Sequence, residues 1–455
     1  NKEVLYVNQH STENRQLFSH EGKIAWTAKD PVTGDIFLAL FNTSDQEDEK
    51  GKDDWRISVN LERLGMAGTC VVKDLWTGES IGKFRGEFYQ NIRPHAAGLF
   101  RISGAQTLPS KKEIMDKMVL TNAYFMNKWP DTGKSIVTNR ERPSNIWTRA
   151  VYYEGSMALY ALNPDKAYYD YSVSWGEAHK WGLRDGIKTR NADNQCCGQT
   201  YLDLYEIEKK PERIRDIQAS VELMLSSDRI NDWNWIDALQ MGMPVFAKLQ
   251  KITGDNRYSE RMFRMYNDCK VTQGLYNKKD KLWWRDRDFL PPYKEPNGED
   301  CYWSRGNGWV VAALVRVMEI LPNDPHYKEY KKTYLEMMKA LLPIQREDGF
   351  WNASLHDPNN FGGKETSGTA LFVYGMAWGV NHGLLSAKKY MPAITKGWNA
   401  MANEAVHPDG FLGYVQGTGK QPSDSQPVNY TSKPDFEDYG LGCFLLAGSE
   451  VYQLK

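Results

Sequence analysis

The hydrophobic rhythm of the chain changes once. Up to about residue 108, short apolar and aromatic runs alternate with turn-rich segments: KIAWTA (23–28), DIFLALFN (35–42), WRISVNL (55–61), GTCVVKDLW (68–76) and GLFRIS (98–103). Runs of this length, divided by stretches such as DPVTGD (30–35) and TSDQEDEKGKDD (43–54), predict the strands of an antiparallel β-sandwich. The acidic run from Asp45 to Asp54 is expected to be a solvated hairpin loop.

From about Lys111 the period becomes helical. SNIWTRAVYYEGSMALYAL (144–162), WIDALQMGMPVFAKLQKITG (235–254), NGWVVAALVRVMEIL (307–321) and TSGTALFVYGMAWGVNHGLL (366–385) carry apolar residues at i, i+3, i+4 and i+7. More polar helices follow them, as in NDPHYKEYKKTYLEMMKALLPIQ (323–345). Six apolar helices are predicted, starting near Asn145, Gln195, Asp237, Gly308, Ser367 and Tyr439. An apolar helix alternating with an amphipathic one, six times over, predicts a closed double ring, an (α/α)6 toroid. The expected division is therefore a β-sandwich over residues 1–108 and a mostly α toroid over 109–455.

Composition narrows the function classes. The 455 residues carry 57 Lys+Arg against 58 Asp+Glu, a net charge of −1, so neither a nucleic-acid footprint nor an acidic tail is present in bulk. No apolar stretch is long enough to predict a transmembrane helix. The six cysteines (70, 196, 197, 269, 301 and 443) lack zinc spacing and are expected to be free buried thiols. The eight histidines show no ligand spacing, so no metal or other cofactor is expected. No GxSxG, P-loop or strand-linked GxGxxG occurs. Sixteen Trp and 25 Tyr either fill a large core or supply flat faces for sugar C–H groups. The opening at Asn1 suggests a processed or truncated product, expected to be exported or periplasmic, with a cytoplasmic location as the alternative.

Three segments at starts of the apolar helices could carry chemistry. RNADNQCCG (190–198) contains Asp193, and NDWNWIDALQMGMP (231–244) contains Asp237 between Trp235 and a helix expected to start just before Pro244. Trp233 and Trp235 could wall the Asp237 carboxyl and raise its pKa, whereas a helix N-terminus acts in the opposite sense. CYWSRGNGW (301–309) places Arg305, a guanidinium able to grip a carboxylate in a bidentate fork, beside Trp303 and Trp309. Gly306 and Gly308 allow a tight backbone there, and Asn307 is the expected N-cap. Each feature alone is accounted for by capping or surface stacking. Two acids, an Arg and several Trp at successive helix starts favour a carbohydrate site.

Together NADN (191–194), WIDALQMGMP, YWSRGNGW and ETSGTA (365–370) resemble the unsaturated uronyl hydrolases of glycoside hydrolase families 105 and 88, family 105 the more nearly. Residues 1–108 separately resemble the C-terminal β-domain of family 27 α-galactosidases, through NKEVLYVNQ, GDIFLALFN, VKDLWTG and HAAGLFRI. The galactosidase activity is not implied, because the family 27 catalytic barrel is missing. What the first resemblance implies is a metal-free bacterial hydrolase of the pectin-degrading type. Its substrate would be an oligosaccharide ending in a 4,5-unsaturated uronic acid, cut by protonation at C4 and hydration at C5. Asp237 is then implied as proton donor, with Asp193 ordering water or sugar hydroxyls and keeping Asp237 protonated. Arg305 is implied as the uronate partner, with Trp235, Trp309, Trp303, Trp284, Tyr152 and Thr366 on the substrate side.

Two departures stand out. SSDRINDWNW (226–235) lacks the His that many members carry before W-x-D, and LWWRDRDF (282–289) has Trp283, Trp284 and Arg285 where many carry another. Both bear on the aglycone, which need not be rhamnose. The competing readings are an inverting glycosidase on saturated substrates, with Asp193 and Asp237 about 6.5–9.5 Å apart, and a non-catalytic glycan-binding protein.

Overall fold

A computed structural model describes residues 1–31, 33–45, 55–66, 68–104 and 108–454. Residues 46–54, most of the expected acidic hairpin loop, lie outside the described residues. The chain divides into two compact units, Asn1–Thr107 and Leu108–Lys455.

The first unit opens with a helix that the strand pattern did not anticipate, α1 (Lys2–His10). Asn1 caps it by accepting from the Glu3 amide, and Lys73 pairs with Glu3 at 2.5 Å. Tyr6 and Val7 pack onto Ala28, Phe37 and Leu75. Eight strands follow: β1 (Thr12–His20), β2 (Lys23–Lys29), β3 (Ile36–Asn42), β4 (Arg56–Asn60), β5 (Thr69–Asp74), β6 (Ser80–Arg85), β7 (Glu87–Asn91) and β8 (Ala96–Gly104). Six of them form an antiparallel sheet in the order β1-β2-β3-β8-β5-β6, and β4 pairs with β7. Leu38, Leu40, Val72, Phe100 and Ile102 of the larger sheet meet Ile57, Val59 and Phe88 of the smaller one in a single apolar cluster. Alternate residues of each strand thus bury one face, which makes a sandwich.

In the second unit α2 (Lys111–Lys128) starts at a capping box between Ser110 and Glu113. A short hairpin, β9 (Ile136–Val137) and β10 (Glu141–Arg142), leads into α3 (Trp147–Leu162). The remaining helices are α4 (Lys166–Ala178), α5 (Ala192–Gln195), α6 (Gly198–Ile207), α7 (Arg215–Leu225), α8 (Asp237–Thr253), α9 (Arg257–Asn267), α10 (Ser304–Ile320), α11 (Tyr327–Leu341), α12 (Thr366–Asn381), α13 (Ala387–Ala400) and α14 (Tyr439–Gln453). Contacts run α3–α6–α8–α10–α12–α14 and back to α3, closing an inner ring of six. Helices α9, α11 and α13 back α8, α10 and α12 from outside, and α4 backs α3. The fold is the (α/α)6 toroid that the periodicity predicted.

Glycines close the ring. A Cβ on Gly155 of α3 would lie 2.5 Å from the carbonyl oxygen of Gly442 on α14, so the two backbones touch where any side chain would separate them. Pro244 does not mark a helix start as expected: α8 runs from Asp237 through it. Proline leaves the carbonyl four residues back without its helical donor. Here that carbonyl, of Gln240, accepts instead from the Gln199 side chain of α6 at 2.8 Å. The helix therefore survives its proline, and Asp237 sits in its first turn.

Candidate active site

Asp193 stands in the first turn of the short helix α5, which leads into α6 and packs on α8, and Asp237 stands in the first turn of α8. Asn191, first residue of the NADN segment, caps α5 by accepting from the Asp193 amide at 2.8 Å. Asn194 anchors the same turn on Asp185 and Thr189. Ahead of α8, Asp232 is buried and bound by Arg190 through two bonds of 2.8 and 2.6 Å, which ties the loop before Asp193 to the loop before Asp237. Trp235 pairs with Asp286 in an isolated antiparallel bridge, and the Ile236 amide donates to the Arg285 carbonyl at 2.9 Å. This pairing brings the Arg285 Nε to 3.1 Å from Oδ2 of Asp237, while its Nη1 reaches Asp286 at 2.6 Å.

Both carboxyls line one cavity of about 280 Å³ with Trp235, Trp147, Met241, Thr148, Phe436, Thr418 and Gly419. Four guanidinium groups, of Arg140, Arg142, Arg184 and Arg285, complete the wall. Burial, and next the charge of Asp237, push the Asp193 carboxyl up to about 7 against the opposing pull of Arg285 and Arg184. The carboxyl that burial and its neighbour's charge raise is that of Asp193. Asp193 is thus available as an acid near neutral pH, while Asp237 is held by the Arg285 cation.

The other expected site residues divide sharply. Trp235 is half-buried and lines the cavity. Arg305 does not line it and grips no open position. Its side chain is 1% exposed, donates to the carbonyls of Gln416 and Gly417 at 2.8 and 2.7 Å, and lies 4.4 Å over the Trp303 ring. It holds the backbone that leads to Thr418 and Gly419, so it acts on the cavity only through that loop. Trp303 is fully buried and bonds Gln416 through its indole N–H. Trp309 is likewise buried, its ring edge-on to Trp147 at 6.2 Å, and so supports the indole that does face the cavity. Trp233 packs against Phe246 in the core rather than beside Asp237.

Trp284 is buried against Tyr302. Tyr152 is buried on Phe125 with its hydroxyl donated to Asn122 at 2.8 Å. Thr366 donates to the Gly413 carbonyl in the first turn of α12, whose N-cap is Glu365. None of these three lines the cavity: the Tyr152 and Thr366 hydroxyls are bonded inside the fold, and the Trp284 indole is buried in the core. Asn307 is not an N-cap either, since α10 begins at Ser304. Its amide instead clamps the Trp283 backbone at both N (2.8 Å) and O (3.0 Å), which fixes the segment carrying Arg285.

The motif reading missed Arg140, Arg142, Arg184, Arg285 and Trp147. The legible signal was the density of arginines in TNRERP and RDGIKTRN, in turns immediately before inner helices. The six cysteines are buried and free, as expected.

A family model described as Glycosyl Hydrolase Family 88 matches residues 117–455, and one described as the alpha galactosidase C-terminal beta sandwich domain matches residues 21–102. An unsaturated 3S-rhamnoglycuronyl hydrolase of Formosa agariphila is 30% identical over 331 residues, 68% of this chain and 85% of that protein. The solved structure of a family 88 glycosyl hydrolase from Bacteroides vulgatus superimposes with a TM-score of 0.69 at 33% identity, over 76% of this chain and 100% of that one. A solved structure described as a polysaccharide lyase is similar at 32% identity and a TM-score of 0.68, over 75% of this chain and 97% of that one.

Proposed function

The chain belongs to glycosyl hydrolase family 88, and on that premise we propose that it removes a 4,5-unsaturated uronyl residue from the non-reducing end of an oligosaccharide. The observation that carries the reading is the pairing of Asp193, raised to about 7, with Asp237 in a cavity otherwise walled by arginines and aromatic rings. Ordinary glycoside hydrolysis places two carboxyls about the anomeric carbon and needs no cationic wall. An unsaturated uronate brings both a carboxylate, which needs cations, and a vinyl ether, which needs one acid.

The Asp193/Asp237 pair delivers a proton to C4, and the ring oxygen shares the resulting positive charge at C5. Water adds at C5 and returns a proton to the pair. The hemiketal so formed opens and expels the aglycone, with the pair back in its starting state. In the free protein burial raises the Asp193 carboxyl to about 7, and Asp237 lies against Arg285. Arg285 is already bonded to Asp237 and Asp286, whereas Arg184 makes no ion pair among the described residues and lies close enough to Asp193 to act on its charge. Arg184 is therefore the receiver of the uronate carboxylate, in place of Arg305. Trp235 and Trp147 supply the apolar faces for the sugar ring.

The conjugated double bond absorbs in the ultraviolet, so the protein incubated with lyase-generated unsaturated disaccharides should make that absorbance fall. Asp193→Asn and Asp237→Asn should each slow the fall by roughly 10²–10⁴-fold with the fold intact. A lyase, the activity named for one similar structure, would make absorbance rise on a saturated polymer. A rise there, with no fall on the disaccharides, rejects the hydrolase reading.

A further inference from the structure

One buried acid stands outside the proposed chemistry and is bound to the segments that carry it. Asp232 lies in the loop leading to Asp237, with its side chain 1% exposed. Its Oδ1 accepts from Arg190 Nε at 2.8 Å and its Oδ2 from Arg190 Nη2 at 2.6 Å, the paired bonds of a fork. Arg229 adds its Nε to Oδ1 at 3.1 Å. Arg190 Nη2 also donates to the Arg229 carbonyl at 3.2 Å, where Arg261 of α9 donates at 2.8 Å. The fork therefore joins two loops at fixed registers, three residues before Asp193 and five before Asp237. Both short tethers are themselves held. Asn191 caps the turn of Asp193, and Trp233 is buried on Phe246 with its carbonyl bonded by Gln273 at 3.0 Å.

We propose that Arg190 and Asp232 are positioning residues for the reaction, their fork setting the spacing and alignment of the Asp193 and Asp237 carboxyls. The catalytic half of this proposal rests on the assignment of those carboxyls to the unsaturated uronyl residue. Neither Arg190 nor Asp232 is among the residues lining the cavity, so both act through the loops they join. A guanidinium fork fixes two directions at once, whereas an ammonium bonds as a point charge and leaves its partner free to turn. Register matters because a misplacement of about 1 Å can slow an enzyme on the order of 10²-fold. It also has an electrostatic signature. Asp193 faces Asp237 of α8, with Arg285 and Arg184 opposing, while the buried Cys196 thiol near it is bonded to Glu154 of α3. Burial and then the charge of Asp237 raise the Asp193 carboxyl. Both influences weaken once the two loops drift apart.

The test compares Arg190→Lys and the double variant Arg190→Gln/Asp232→Asn with the unmodified full chain on unsaturated disaccharides. Lysine keeps a cation beside buried Asp232, and the double variant removes both charges together, so both remain folded even if Arg190→Gln alone does not. Melting curves check this. In each, kcat should fall about tenfold or more while KM changes by less than about threefold. The alkaline limb of kcat/KM should move down by about half a pH unit or more. Carboxyl-resolved NMR should show the Asp193 titration moving the same way with no substrate present, a change that a purely structural bond would not produce. An Asp193 titration that stays in place in the folded variants overturns the proposal, as does an unchanged kcat. If the unmodified protein turns over none of the disaccharides, the unsaturated-uronyl reading falls instead, and the titration alone then decides whether the fork sets the spacing of the carboxyls.

Discussion

A carboxyl held near 7 changes stability as well as catalysis. Native Asp193 binds its proton more tightly than the same residue in the unfolded chain, whose ordinary value is 3.8. Its contribution is therefore fully favourable below about pH 4 and is lost as pH rises through about 7. Asp193→Asn should accordingly raise the melting temperature at pH 8 by about 2 °C or more, with little change at pH 4, while activity is lost. On the proposed mechanism, in which the acid form starts the reaction, the same titration should set an alkaline limb of kcat/KM near pH 7. Removing the charge of Asp237 should lower the Asp193 value, which carboxyl-resolved NMR titration of Asp237→Asn would register; an unmoved titration would sink the coupling. A second contrast separates two arginines. Arg184→Ala should abolish turnover at nearly unchanged stability. Arg305→Ala leaves the buried Gly417 carbonyl without its Arg305 donor and leaves the Gln416 carbonyl to the Tyr439 hydroxyl alone, and should destabilise by about 1–3 kcal/mol in a chemical melt. The two aspartates were legible because each immediately precedes a long apolar period, which fixes a helix start. The fate of Arg305 was not, since it is decided by carbonyls more than a hundred positions away. Nothing in a local motif distinguishes an arginine that lines a cavity from one that supports its loop.

At the scale of elements, the proline in α8 shows why propensity misplaced a boundary. The expected start near Pro244 assumed that an orphaned carbonyl is not repaired, and Gln199 from the neighbouring helix repairs it. Gln199→Ala should cost about 1–3 kcal/mol, because a buried acceptor loses its donor. Pro244→Ala supplies a helical N–H to the same carbonyl, so the double variant should be more stable than additivity allows, by about 1 kcal/mol. Additive losses would show that the two residues are not linked through Gln240. The helix α1 was missed for a similar reason: its stability comes from Lys73, Phe37 and Leu75, which the local strand pattern cannot foresee.

For the whole molecule, the double ring was readable because six apolar periods recur with polar partners between them, a signal that sums over hundreds of residues. The sandwich was readable from short apolar and aromatic runs divided by turn-rich segments. Each unit has its own apolar cluster, so residues 108–455 expressed alone should fold and keep the hydrolytic rate, and a loss of rate would assign the sandwich a part in it.

The glycine contact between α3 and α14 carries one more implication, for biosynthesis. The face of α3 that meets Gly442 is uncovered while the ribosome is still translating the intervening 276 or so residues, and no earlier helix can occupy a gap too narrow for a side chain. The circle therefore cannot close gradually from its beginning. A nascent polypeptide halted before α14 should remain protease-sensitive throughout the helical unit, and protection should arrive in one late step.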